Sequence, residues 1–399
     1  MDETYRLPDG ELYTNGDVYS KYDYAGYFSK NPAYGHAGNG YGFFLIPVST
    51  EYYAGGPQKQ DLLMHYDGIV LNYFTGAHFG TGPLIVETDW KKFYGPFMWY
   101  FNEGNDNDAL YADALRKAEI EKAKWPYQWV SHPMYPLNRS TVKGTLTFSD
   151  GSPCNNTTVL LAQSGLCIER QSADYIFYGN TDENGNFTIP HVRMGDYTLY
   201  AYQTGGHITQ QPAFEGINIS GEICDLGNLT FEIPKRNVLW QLGKATRTCE
   251  GYKYAGELRN YKWHHMTPAD ITFTIGESNE AEDWYYAQTV AGTWQINFNL
   301  DKVEDTDYYL TVALAGVTKG NISEKTEACF TIRVNGELLH EKCYINDGSI
   351  YRSATLSGRY RRIEVKVDPS ILKKGINTVS FVNDSYMAMY DTVVFEKEI

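Results

Sequence analysis

Apolar positions in the first hundred residues come in short runs bounded by glycine: YGFFLIPVS (41–49), GIVLNYFTGAHFG (68–80) and WKKFYGPFMWYFN (90–102). Such runs, rich in aromatic residues, predict strands and loops with no helix over 1–104. Residues 105–125 change character. Leu110, Ala114, Ala118 and Ile120 recur at near-helical spacing, Asp106 and Asp108 stand at the front, and Lys122 and Lys124 stand near the end. That charge order suits the helix dipole, and Pro126 supplies the stop, so the segment predicts a helix bridging two domains.

Beyond the helix the period returns to two. STVKGTLTFSDGSPCNNTTVLLA reads as strand, Asp-Gly turn, strand. Phe187 and Ile189, then Tyr197, Leu199 and Ala201, alternate around turns at Asn184-Gly185 and Met194-Gly195. Short strands at this spacing predict a small antiparallel sandwich over 138–233. Residues 237–399 carry many strands in one run, which suits a jelly roll. The expected fold class is all-β in three parts: a partial β-sandwich with its helix (1–130), a small sandwich (138–233) and a jelly roll (237–399).

Length agrees: at about 100–200 residues per domain, 399 residues hold two to four. The net charge of −15 argues against a nucleic-acid partner, since phosphate binding needs clustered Lys and Arg. No apolar run reaches membrane-spanning length, so no membrane partner is expected. The start, MDETYRLPDGELYTNG, shows no signal-peptide pattern. Sequons at Asn138, Asn155, Asn156, Asn186, Asn218, Asn228, Asn321 and Asn383 nevertheless lean towards a secreted protein.

The 34 Tyr and 8 Trp suit half-buried strands first and sugar stacking second. Trp284 and Trp294 read as core. The six cysteines form no C-x-x-C pair, so no zinc site is expected. A two-residue Asn335-Gly336 turn pairs Val334 with Glu337 and sets Cys329 opposite Lys342. A Cys329–Cys343 disulfide would therefore need a bulge.

Candidate chemistry is sparse. His36 sits in AYGHAGNGYGFFLIP, read as a bent loop among glycines ahead of an apolar run. By residue type alone, such a histidine is more often a local hydrogen bonder than a catalyst. Tyr22 and Tyr24 alternate around Asp23, and on a strand they would share a face, for sugar contact or core packing. Lys59 and His65 follow a Gly55-Gly56-Pro57 turn. Lys91 and Lys92 read as a surface pair, and Arg359, Arg361 and Arg362 as a solvated strand face. No phosphate loop or Ser-His-Asp arrangement appears.

The segments SKYDYAGY, HAGNGYGFFLIPVSTEYYAGGPQKQDLLMHY, LNYFTGAHFG, WKKFYGPFMWYFN, KWPYQWV, VKGTLTFSDG…NFTIPHVRMGDYTLYAY and LWQLGKATR…YRSATLSGRYRRIEVKV…LKKGINTVSF occur in an order that resembles polysaccharide lyase family 4, the rhamnogalacturonan endolyases. The resemblance implies the later part of a catalytic sandwich, a fibronectin-III-like middle domain and a carbohydrate-binding-like jelly roll. It implies β-elimination on the rhamnogalacturonan backbone of pectin. That chemistry needs a neutralised uronate carboxylate, a base for the C5 proton and an acid for the leaving oxygen. His36 becomes the catalytic histidine. Lys21, Tyr22, Tyr24, Lys59, His65 and Arg352 become substrate-binding candidates. The family's lysine base is expected upstream of Met1, with most of the catalytic domain. The alternatives are a truncated, non-catalytic carbohydrate-binding protein or a subunit completed by a separate N-terminal chain. No cofactor is required; a structural calcium in the jelly roll is compatible with the resemblance, though no residue pattern marks one.

Overall fold

The computed structural model describes residues 4–6, 18–65, 68–72, 84, 86–163, 168–256, 267–320, 325–351, 356–384 and 386–399. The chain divides into two compact units. One holds residues 1–23, 203–210 and 233–399, and the other holds 24–202 and 211–232. In the first, β1 (Thr4–Arg6) and β2 (Val18–Ser20) pair antiparallel.

The second unit opens with β3 (Ala25–Tyr27), β4 (Tyr34–Gly38), β5 (Tyr41–Ile46), β6 (Gln60–Leu62) and β7 (Met98–Glu103). β3 pairs with β6, and β4-β5-β7 form an antiparallel sheet. The helix α1 (Asn107–Ala123) packs Leu110, Ala114 and Ala118 against Phe44 and Ile46 of that sheet. Asp106 caps it by accepting from the Asp108 amide. Its buried stripe ends on Glu121 and not on Ile120, which is 52% exposed. Eleven residues on from Leu110 is close to three full turns, and ten is not. Glu121 tolerates burial because Tyr127 Oη (2.6 Å), Lys124 (2.8 Å) and Lys117 (2.9 Å) all reach its carboxylate.

A two-sheet sandwich follows, made of β8 (Ser140–Phe148), β9 (Thr157–Ala162), β10 (Ile176–Asn180), β11 (Asn186–Val192), β12 (Gly195–Gln203), β13 (Ala213–Ile219) and β14 (Ile223–Phe231). The sheet orders are β10-β9-β12-β13 and β11-β8-β14. The alternating Phe187, Ile189, Tyr197, Leu199 and Ala201 are all buried. The expected all-antiparallel pairing fails at one place. The chain changes sheets between β13 and β14, and β14 enters parallel to β8.

The first unit's main body runs through β15 (Arg236–Gly243), β16 (Ile271–Thr274), β17 (Ala287–Gln288), β18 (Gly292–Leu300), β19 (Tyr308–Thr318), β20 (Glu327–Val334), β21 (Glu337–Ile345), β22 (Arg361–Val367), β23 (Gly375–Asn383) and β24 (Met387–Glu398). Two five-stranded sheets, β15-β24-β19-β22 with β17 added at β24 and β16-β18-β23-β20-β21, enclose one core. Trp284 and Trp294 lie fully inside it, as core tryptophans should. In the β20–β21 hairpin Ile332 faces His340 but Arg333 faces Leu338. That bulge moves Cys343 opposite Cys329, and the two form a disulfide. Cys154, Cys224 and Cys249 form no disulfide among the described residues, and Cys167 lies outside them. Arg359 departs from the solvated face expected of it. It precedes β22 in a loop where its backbone N–H donates to the buried Asp347 carboxylate (2.5 Å), and it is 2% exposed.

Candidate functional site

His36 lies on a strand, not on a loop. Asn39 (φ 52°) and Gly40 (φ 86°) form the two-residue turn between β4 and β5. Both positions need left-handed backbone, which the Asn-Gly pair accepts at low cost. Gly35 is forced by crowding, because a Cβ there would fall 2.0 Å from the Phe43 carbonyl oxygen. Gly38, two residues beyond His36 on the same face, leaves that face open: a Cβ there would meet no described atom within 4 Å.

Across the ladder His36 faces Phe43, and Phe43 faces Phe101. Phe43 stacks on Phe101 at 4.9 Å and on Trp99 at 4.8 Å. Tyr41 (67%), Phe101 (69%) and Trp99 (44%) remain exposed. An open hollow of about 700 Å³ is lined by His36, Gly38, Tyr41, Phe43, Phe101 and Asn102. The Nε2 atom of His36 is buried there without a hydrogen-bond partner among the described residues. Asn102 is fixed from below, its amide donating to the Leu110 carbonyl and to Asp113 (both 2.9 Å). The aromatic lining is readable from the alternation in YGFFLI and MWYFNE, which puts Tyr41 with Phe43 and Trp99 with Phe101 on common faces.

The other candidates scatter. Lys21–Tyr24 form a 3-10 turn and not the expected strand, so Tyr22 and Tyr24 do not share a face. Tyr22 is buried and belongs to the first unit; Tyr24 is half-buried and belongs to the second, with His36. The Tyr24 carbonyl accepts from Leu63, the Leu63 carbonyl from Leu71, and the Leu71 carbonyl from Tyr34 Oη at 2.7 Å. This relay ties Tyr24 and the 63–71 segment, which carries His65, to the strand bearing His36. His65 and Lys59 are themselves buried, and Lys59 Nζ donates to the Gln60 carbonyl (2.8 Å). Arg352 lies outside the described residues, as does the side chain of Lys21.

Lys92 is not a surface residue. Its ammonium donates to the carbonyls of Tyr52 (2.8 Å), Ser172 (3.0 Å) and Asp174 (3.0 Å). Burial pushes its pKa down to about 7, while three carbonyls accept all the protons that only the ammonium form can supply. Nearby, Glu51 accepts from Arg139 Nη1 (2.6 Å) and Arg193 Nη2 (2.7 Å), all three side chains being nearly inaccessible. Tyr34, Tyr52 and Tyr53 cluster beneath, and burial raises the pKa of each, that of Tyr52 to about 12. None of these pairings is visible in the sequence, because their partners are up to 142 positions apart.

Among the described residues, no group of three or more His, Cys, Asp or Glu is arranged to hold a metal ion. Nor is any helix there long and apolar enough to cross a membrane.

Fold and site together define a modular β protein with a hairpin-borne histidine at the mouth of an aromatic hollow. Residues 139–222 match domain II of polysaccharide lyase family 4, and residues 238–395 match its domain III. A rhamnogalacturonate lyase of Dickeya dadantii is 39% identical over 394 residues, which is 98% of this chain and 66% of that protein. A probable rhamnogalacturonate lyase B of Aspergillus niger is 24% identical over 367 residues, 82% of this chain and 50% of that protein. Rhamnogalacturonate lyase B of Emericella nidulans is 24% identical over 323 residues, 71% of this chain and 48% of that protein. The chain belongs to polysaccharide lyase family 4. It spans about two thirds of the length of the bacterial relative and about half that of the fungal ones.

Proposed function

We propose that this chain contributes to cleavage of the rhamnogalacturonan backbone of pectin by β-elimination, outside the cell. The observation that carries the reading is His36 in a family 4 chain: an open hollow, a buried Nε2 with no partner among the described residues, and aromatic side chains alongside. In β-elimination a base removes the C5 proton of galacturonate. The electrons form the C4–C5 double bond, and the C4–O bond to rhamnose breaks. His36 supplies the proton to the departing oxygen, as a histidine can near neutral pH. Phe43 and Phe101 offer ring faces to the C–H faces of the sugar, and Gly38 leaves room for the chain. The base is the lysine that the family resemblance implies. Extracellular action is supported by the Cys329–Cys343 disulfide, since such bonds persist in oxidising surroundings.

The test is release of 4,5-unsaturated uronate from rhamnogalacturonan, followed by its absorbance, with the full-length protein that carries this chain. Product formation that depends on His36 supports the reading. Saccharide binding with no product would make the protein a non-catalytic binder and overturn it.

A further inference from the structure

A second hollow, of about 490 Å³, lies in the same compact unit as His36 but is lined by different residues. The C-terminal end of α1, the segment after β5, and strands β10 and β11 enclose it. Its volume falls in the range of roughly 300–1,000 Å³ typical of small-molecule sites. Trp125 and Phe177 give it aromatic surface, Thr50 and Tyr178 give it hydroxyls held 3.0 Å apart, and Lys122 and His191 complete the polar lining.

Two features of this lining lack partners among the described residues. The Trp125 indole N–H is buried with no acceptor. Lys122, exposed at the helix end, has no carboxylate partner there, whereas Lys117 and Lys124 beside it both pair with Glu121. Glu51 is the one carboxylate among the described lining residues, and the buried Arg139 and Arg193 both bond to it, so its charge is neutralised from behind the lining. A buried donor without an acceptor costs free energy until a ligand supplies one.

We propose that this hollow is an accessory binding site for an acidic sugar unit, with the carboxylate at Lys122 and the Trp125 N–H and the sugar's C–H face against the aromatic rings. The proposal rests on the reading of the substrate as a uronate-containing polysaccharide. It adds a second contact on the same polymer, remote in lining from His36. Holding the chain at two places raises its effective concentration at the cleavage site.

The probe is a galacturonate–rhamnose disaccharide, titrated calorimetrically into the protein, with its methyl ester as the uncharged control. Lys122→Gln and Trp125→Phe should each weaken one binding event about tenfold, as loss of a charge-assisted or buried hydrogen bond implies. The ester should bind the wild type as weakly as the acid binds Lys122→Gln. His36→Ala should leave this event in place, and the Trp125 indole N–H resonance should shift during the titration. Unchanged affinity in both variants, equal affinity for acid and ester, or no binding at all would overturn the proposal. So would loss of all binding in His36→Ala, which would place the sugar in the other hollow. None of these results bears on whether unsaturated product forms, so the lyase reading stands or falls separately.

Discussion

Glu51 and Arg139 stand 88 positions apart in the chain and meet at 2.6 Å, Oε2 to Nη1, with Arg193 closing on the other carboxylate oxygen at 2.7 Å. The pairing joins the segment after β5 to the start and the middle of the sandwich. Arg139 lies over the Trp125 ring (4.4 Å) and Arg193 over Tyr175 (3.7 Å), so both guanidiniums are packed as well as paired. Glu51→Ala would leave two buried cations without their anion. The expected loss is about 3–5 kcal/mol, read as a lower midpoint in denaturant or heat. A variant that melts with the wild type would mean that the arginines relax to solvent.

Asp391 gives a pH dependence of defined sign. It is buried in the jelly-roll core region, with Oδ1 accepting from the Thr246 amide (2.9 Å) and Oδ2 without a partner among the described residues. Burial pushes its pKa up to about 7, against the pull of Thr246 and Arg247. The folded state therefore holds this proton more tightly than the unfolded chain, whose Asp titrates near 3.9. Its contribution to stability is complete below about pH 4 and is lost as pH rises to about 7, an effect on the order of 2–4 kcal/mol. Melting temperatures across this window should fall less in Asp391→Asn than in the wild type. Parallel pH profiles would show that Asp391 does not titrate there.

The Cys329–Cys343 bridge closes a loop of 14 residues in sequence separation. A loop near that length restricts the unfolded chain by about 3 kcal/mol, so Cys343→Ser should lower jelly-roll stability by about 2–3 kcal/mol. Adding reductant to the wild type should reproduce the shift and leave the variant unchanged. A variant as stable as the wild type, insensitive to reductant, would contradict this.

Local signals carry most of the fold. The alternation of Phe187, Ile189, Tyr197, Leu199 and Ala201, the helix after Asp106 and the need for a bulge near Asn335-Gly336 are all readable, because each depends on neighbours a few residues away. The site is less legible. His36 reads as a loop residue although Asn39-Gly40 is a hairpin turn between two strands. Tyr22 and Tyr24 suggest a strand's periodicity where the chain takes a 3-10 turn. Lys92 passes for a surface lysine, since its carbonyl cage comes from Tyr52, Ser172 and Asp174. Contacts assembled over 40 to 142 positions leave no periodic trace.

The most direct test of the account is the rate of unsaturated-uronate release by the full-length protein carrying this chain, compared with its His36→Ala variant. Removing a general acid should cut turnover by about 10²-fold or more while KM changes little, because the aromatic lining of Tyr41, Phe43 and Phe101 is untouched. Equal turnover in variant and wild type would contradict the assignment of His36 and with it the chemistry proposed for the hollow.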